Sequence, residues 1–147
     1  MRLESLLLVE LFLTSVGFSV VPAMGKIVPQ QQMGPVQLTQ ELRSVVDKAE
    51  LKLFQGFIVT YSEQRKAALI KKIDDVVMMF EKGNFQGGYN KLDNDIAPKL
   101  NICATARIRA LSWLSDDPEV QDRVHQFAQT CQDLIVLIKL ADPRPTP

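Results

Sequence analysis

The stretch from Ala68 to Leu100, ALIKKIDDVVMMFEKGNFQGGYNKLDNDIAPKL, constrains this chain more than any other. Leu69, Ile73, Val76, Val77 and Phe80 recur at helical spacing before Gly83-Asn84. Phe85, Tyr89, Leu92 and Ile96 do the same after it. Gly83 suits the left-handed residue that closes one helix, and Asn84 suits the side-chain cap that opens the next. The segment therefore predicts a helical hairpin, an architecture without chemistry of its own.

The flanks extend the pattern. Leu42, Val45, Val46, Ala49 and Leu53 predict a first helix from about Thr39 to Gln55, with Gly56 as its stop. Thr60-Tyr61-Ser62-Glu63 has the form of a capping box and predicts a second helix from Thr60 to about Lys82. The third helix is expected from Phe85 to about Ala97. It ends at Pro98, which has no N–H to offer the carbonyl four residues back. Asp117-Pro118-Glu119 supplies a cap, a first-turn proline and an acid at the positive helix end. The last helix follows, with Val120, Val124, Phe127, Ala128, Cys131, Leu134, Ile135 and Ile138 as its apolar stripe. The connection Asn101–Asp116 is long for a compact domain. Ile102, Ala106, Ala110, Trp113 and Leu114 recur at helical spacing within it, so a short fifth helix is one reading of that segment. The expected class is all-α: an antiparallel four-helix bundle over residues 38–140, with a long connection between helices three and four. Residues 141–147 (ADPRPTP) are expected to be a disordered tail.

At the other end, Arg2 precedes an apolar run from Leu6 to Val21, followed by small residues through Gly25. Residues 1–25 thus have the outline of a secretory leader, with cleavage after Ala23 or after Gly25. Glu4 offsets Arg2, and Glu10 stands inside the run, where a charge costs roughly 2.5–3.5 kcal/mol at a membrane centre. Export is the favoured destination, as a secreted or cell-surface protein. An uncleaved anchor and a non-exported start are the alternatives. Residues 26–37, with two prolines, a glycine and a glutamine run, read as a linker.

Lys+Arg and Asp+Glu number 17 each, and no basic stripe is present. Nucleic acid is therefore not an expected partner. His125 is the only histidine, without a second ligand or nucleophile at zinc-site or triad spacing, and reads as a surface or boundary residue. Asp74, Asp75, Asp93, Asp95, Asp116 and Asp117 do not follow the spacing of a calcium loop. Asn94 and Asp95, just before Pro98, are the more interesting polar pair, read as local hydrogen bonding near a helix end. Met78-Met79 reads as core. No catalytic, cofactor or metal residues are expected, and an enzyme is not the favoured class.

Phe57, Ile58, Leu69, Ile73, Phe80, Gly83, Asn84, Leu92, Asn94, Asp95 and Ile96 together resemble the FIMAH-type helical module appended to exported proteins of bacteria and archaea. From Tyr89 to Gln121 the chain also resembles a related C-terminal pattern, carried by Asn90, Lys91, Leu92, Asn94, Asp95, Ile96, Cys103, Trp113 and Gln121. The likeness spans roughly residues 56–138. It implies a non-catalytic accessory or surface role and no substrate. The pattern's second cysteine, shortly after the tryptophan, is replaced here by Ser115, Asp116 and Asp117, so its loop disulfide has no counterpart.

Cys103 and Cys131 remain. In an exported protein they can pair across a loop of about 28 residues, worth roughly 3–4 kcal/mol. That requires 101–114 to be a helix packed antiparallel to the last one; otherwise Cys131 is a small buried hydrophobe. Three functional classes follow: an exported interaction or surface-associated module, with an unknown protein or cell-surface partner; a membrane-anchored helical protein, if residues 1–25 are retained; and a small-molecule or ion binder in the bundle interior. The third needs inward polar residues, and the apolar stripes carry almost none.

Overall fold

The hairpin predicted at Gly83 is formed by backbone and side chain together. The computed structural model describes residues 32–56, 58–102 and 111–145. The leader or anchor, residues 26–31 of the linker, Phe57 and Cys103 through Ala110 lie outside them. In chain order the helices are α1 (Pro35–Lys48), α2 (Val59–Glu81), α3 (Phe85–Lys91) and α4 (Gln121–Leu140). The class is all-α: among the described residues there is no strand, only an isolated antiparallel bridge between Phe54 and Leu114.

At the end of α2, Gly83 takes φ +74°. Its N–H reaches the Phe80 carbonyl at 3.0 Å, and the Asn84 N–H reaches that of Met79 at 2.8 Å. These two bonds make a Schellman closure, which satisfies carbonyls the helix end would otherwise leave free. The Asn84 side chain then accepts the Gly87 N–H at 3.0 Å and opens α3. At the start of α4, the Asp117 carboxylate accepts the Glu119 N–H at 3.0 Å, with Pro118 in the first turn.

Four boundaries differ from the sequence expectation. Helix α1 begins at Pro35, inside the stretch read as linker, and Thr39 lies within it, buried and donating to the Pro35 carbonyl at 2.6 Å. It ends at Lys48 rather than Gln55. Ala49 and Glu50 turn extended, and Leu51–Leu53 forms a separate 3-10 turn. Lys66 of α2 donates to the carbonyls of Asp47 and Ala49 at 2.6 and 2.9 Å, supplying donors to the α1 terminus.

The capping box at Thr60 and Glu63 is not formed. The chain enters α2 through extended Ile58, and Thr60 already lies inside the first turn. The hydroxyl that matters is Ser62, buried and donating to the Phe54 carbonyl at 3.0 Å.

Pro98 acts earlier than expected. Regular α-helix stops at Lys91, widens to a π-turn over Leu92–Ile96, and tightens to a 3-10 turn over Ala97–Leu100. The Ala97 N–H bonds five residues back, to Leu92. Widening and then tightening lets the chain carry a residue without an N–H and continue in the same direction.

The core is the apolar stripes meeting. Leu42, Val46, Leu69, Ile73, Val76, Leu92, Ile96, Leu100, Val124, Cys131 and Ile138 have no measurable solvent exposure. Phe80 stacks on Phe85 with centroids 5.8 Å apart and meets the Tyr89 ring at a tilt of 53°, centroids 5.0 Å apart, filling the hairpin end. Met78, expected in the core, is exposed on α2, and Met79 is half-buried. Of the possible fifth helix, Asn101–Ile102 and Leu111–Leu114 are not helical. Leu114 is buried and Trp113 half-buried; the Trp113 N–H donates to Lys99 and its carbonyl accepts from Gln55, at 2.9 and 2.8 Å.

Of the expected tail, Asp142–Arg144 is held against the body. Arg144 lies 5.2 Å from the Tyr89 ring centroid and donates to Gln86 at 3.2 Å. Among the described residues no helix is long and apolar enough to cross a membrane.

Candidate functional site

Two places concentrate side chains that the core does not explain. The first is an open groove of about 840 Å³, between the entry to α2 and the segment leading into α4. One wall comes from residues 51–56 and 58–65, the other from residues 115–123. Ile58, Val59 and Tyr61 stand on the first wall at 56, 66 and 53 % exposure, although all three are large and apolar. They sit one turn ahead of the α2 stripe, where the chain is still extended or just beginning to coil, so the core-facing register has not started.

The frame beneath them is fixed by local bonds. Besides the Ser62–Phe54 bond, Arg65 donates to the backbone and side-chain oxygens of Gln55 at 3.0 and 2.8 Å. Gln55 and Ser115 tie the two walls through the Trp113 and Leu53 carbonyls. A Cβ at Gly56 would stand 2.7 Å from Ser62 Oγ and 2.9 Å from the Ser62 nitrogen, so the close approach there needs glycine. Asp116, Asp117 and Glu119 line the opposite wall, all exposed. The Asp116 and Glu119 carboxylates meet no partner among the described residues.

The second place is the π-turn. Lys72 and Lys99 donate to the two oxygens of Asp95 at 2.7 and 2.6 Å. Lys91 lies 3.7 Å from Asp95 and 3.3 Å from Asp75. Lys99 also donates to the Asp95 carbonyl at 2.5 Å and sits 5.1 Å from the Trp113 ring centroid. Partial burial pushes the Asp95 carboxyl up. The hydrogen bonds and charges of Lys99 and Lys72 together outweigh it and bring it down to about 2. This centre clasps α2 to the turn after α3, and its charges are already satisfied by one another.

The residues singled out in the sequence fall in separate regions. Gly83 and Asn84 make the hairpin turn, at the end of α2 away from the groove. Asp95 and Trp113 are brought together through Lys99, whereas Asn94 is exposed. Cys131 is a free, fully buried thiol, its pKa pushed up by burial to about 12. Cys103, its candidate partner, lies outside the described residues. His125 is exposed, with Nδ1 2.8 Å from the Gln121 carbonyl.

The acids weighed for calcium, Asp116 excepted, have other occupations. Asp74 pairs with Arg43, Asp75 with Lys91, Asp93 with Lys139, and Asp117 caps. Among the described residues no three His, Cys, Asp or Glu are grouped to hold a metal ion. Sequence reading missed the groove. Its only signal was Ile58-Val59-Thr60-Tyr61, a β-branched and aromatic run that fits no helical stripe.

No protein-family model, curated protein or solved structure matches this chain. Its class is therefore stated from the fold alone: all-α, with four helices among the described residues and an open groove at the α2 entry.

Proposed function

We propose that this is a small exported, non-catalytic protein built as an antiparallel four-helix bundle, acting through protein or cell-surface contacts. The bundle reading is supported by the order of the cross-links. Arg43–Asp74 and Lys66–Asp47 run in opposite senses along α1 and α2. Lys72–Asp95 and Lys91–Asp75 do so for α2 and the third segment. Lys139–Asp93 and Gln132–Ala97 do so for that segment and α4.

The observation that carries the interaction role is the groove's exposed apolar wall. Single apolar residues on a surface are ordinary, but three within four positions, beside a hollow of this size, favour a docking place. The resemblance to FIMAH-type modules favours an accessory role in the same direction. A second reading, a membrane-anchored protein with residues 1–25 retained, is favoured by the apolar run Leu6–Val21.

Two measurements test this. Intact mass of the protein from an exporting host should begin at Met24 or Lys26; a full-length mass in the membrane fraction replaces the first reading with the second. A photo-crosslinking residue at Tyr61 should form protein adducts on the producing cells. Equal labelling from an exposed position away from the groove, such as Gln129, would remove the interaction role.

A further inference from the structure

We propose that the groove docks a polypeptide segment in which apolar side chains alternate with lysine or arginine. The apolar residues would lie on Ile58, Val59 and Tyr61, and the basic residues would face Asp116 and Glu119. This rests on reading the chain as an interaction module and adds the chemistry of its partner.

What a partner meets in the groove is the charge left free, not all the charge present. The lining holds three cations and three acids: Lys52, Arg65 and Arg123 against Asp116, Asp117 and Glu119. Arg123 is paired with Glu50 at 2.7 Å, and Arg65 is turned onto Gln55. Asp117 is occupied as a helix cap. Asp116 and Glu119 are left without a partner among the described residues, on the wall facing the apolar trio. Lys52, likewise without a partner among the described residues, follows Leu51 on the apolar side. The exposed apolar trio thus stands on one wall, with Lys52 beside it, and the two free carboxylates on the other.

That polarity selects among macromolecules. A phosphate-rich surface, lipid or nucleic acid, would meet the acidic wall at close range and be repelled. A polypeptide can match both walls at once, because alternate residues of an extended segment point to opposite sides. The groove is also held open by its own bonds, through Ser62, Arg65, Gln55 and Ser115, so little ordering remains to oppose binding.

The test uses the full chain and two fluorescently labelled peptides of equal length, one alternating leucine with lysine and one alternating leucine with glutamate. Anisotropy titrations are run at low and at physiological salt. The lysine peptide should bind at least about tenfold more tightly than the glutamate peptide, with the preference shrinking as salt screens it. D116N/E119Q should reduce the preference to about twofold, and Y61S should weaken the lysine peptide while circular dichroism stays unchanged. These substitutions are at exposed positions, so folding is preserved. Equal binding of the two peptides, or a preference for glutamate, overturns the inference while leaving the interaction module standing. Binding to anionic vesicles in place of the lysine peptide overturns it in favour of a lipid surface. No binding of either peptide, together with no adduct from position 61, removes the inference and the reading beneath it.

Discussion

Replacing Asp95 by asparagine isolates the charge at the π-turn, because the side chain keeps its shape and loses only its ionisation. Asp95 is held near 2 against an ordinary 3.8. At 1.36 kcal/mol per pH unit, that displacement corresponds to about 2.4 kcal/mol of stability at neutral pH. The side chain is still 30 % exposed, so solvent screening lowers the expected figure to about 1–2 kcal/mol. The sign follows from the depressed value. The contribution is complete above the unfolded-state value near 4 and disappears as pH falls through the folded-state value near 2. Urea unfolding followed by far-UV circular dichroism should therefore show D95N less stable by about 1–2 kcal/mol at pH 7. The gap should be unchanged at about pH 5 and mostly closed at about pH 2, where the wild-type carboxyl is about half protonated in the folded protein and almost wholly so in the unfolded chain. A gap of the same size at about pH 2 would mean that bond geometry, rather than charge, carries the effect. No gap at pH 7 would mean that Lys72 and Lys99 gain nothing from Asp95 over water, and the clasp would lose its role.

Gly83→Ala should cost about 1 kcal/mol in chemical denaturation, since its φ of +74° is strained for alanine while nothing lies within 4 Å of the added methyl. Gly88→Ala should cost more, about 1–3 kcal/mol and a correspondingly larger fall in Tm, because its Cβ would lie 2.7 Å from Phe80 Cδ1 in the packed hairpin; a Tm loss no larger than that of Gly83→Ala would show that the ring moves freely. Cys131 should resist alkylation near pH 8 in the folded protein and react once denaturant is added, as its thiol is buried and held near 12; labelling of Cys131 without denaturant, read by peptide mass, would contradict the packing of α4.

What was legible in the sequence was local, and what was missed was set by distant residues. Gly83-Asn84 and Asp117-Pro118 could be read directly, because each motif satisfies backbone groups within five residues of itself. The stripes of α2 and α4 were legible for the same reason: periodicity names the buried face before the partner is known. Thr60 had an equally good local signature and failed. Its helix start was decided by Ser62 reaching Phe54, and Phe54 was itself fixed by a bridge to Leu114, sixty residues along the chain. The same bridge ended the first helix short of Gln55, against a periodicity that ran on to Leu53. The candidate groove exists because that bridge brings residues 51–65 beside residues 115–123, and neither stretch carries a motif alone. Asp95 shows the intermediate case. Pro98 announced that a regular helix could not continue, but a helix can answer a proline by stopping, kinking or widening. Widening over Leu92–Ile96 accompanies the placement of Asp95 between Lys72 and Lys99, and the three charges that settle that geometry come from three separate elements.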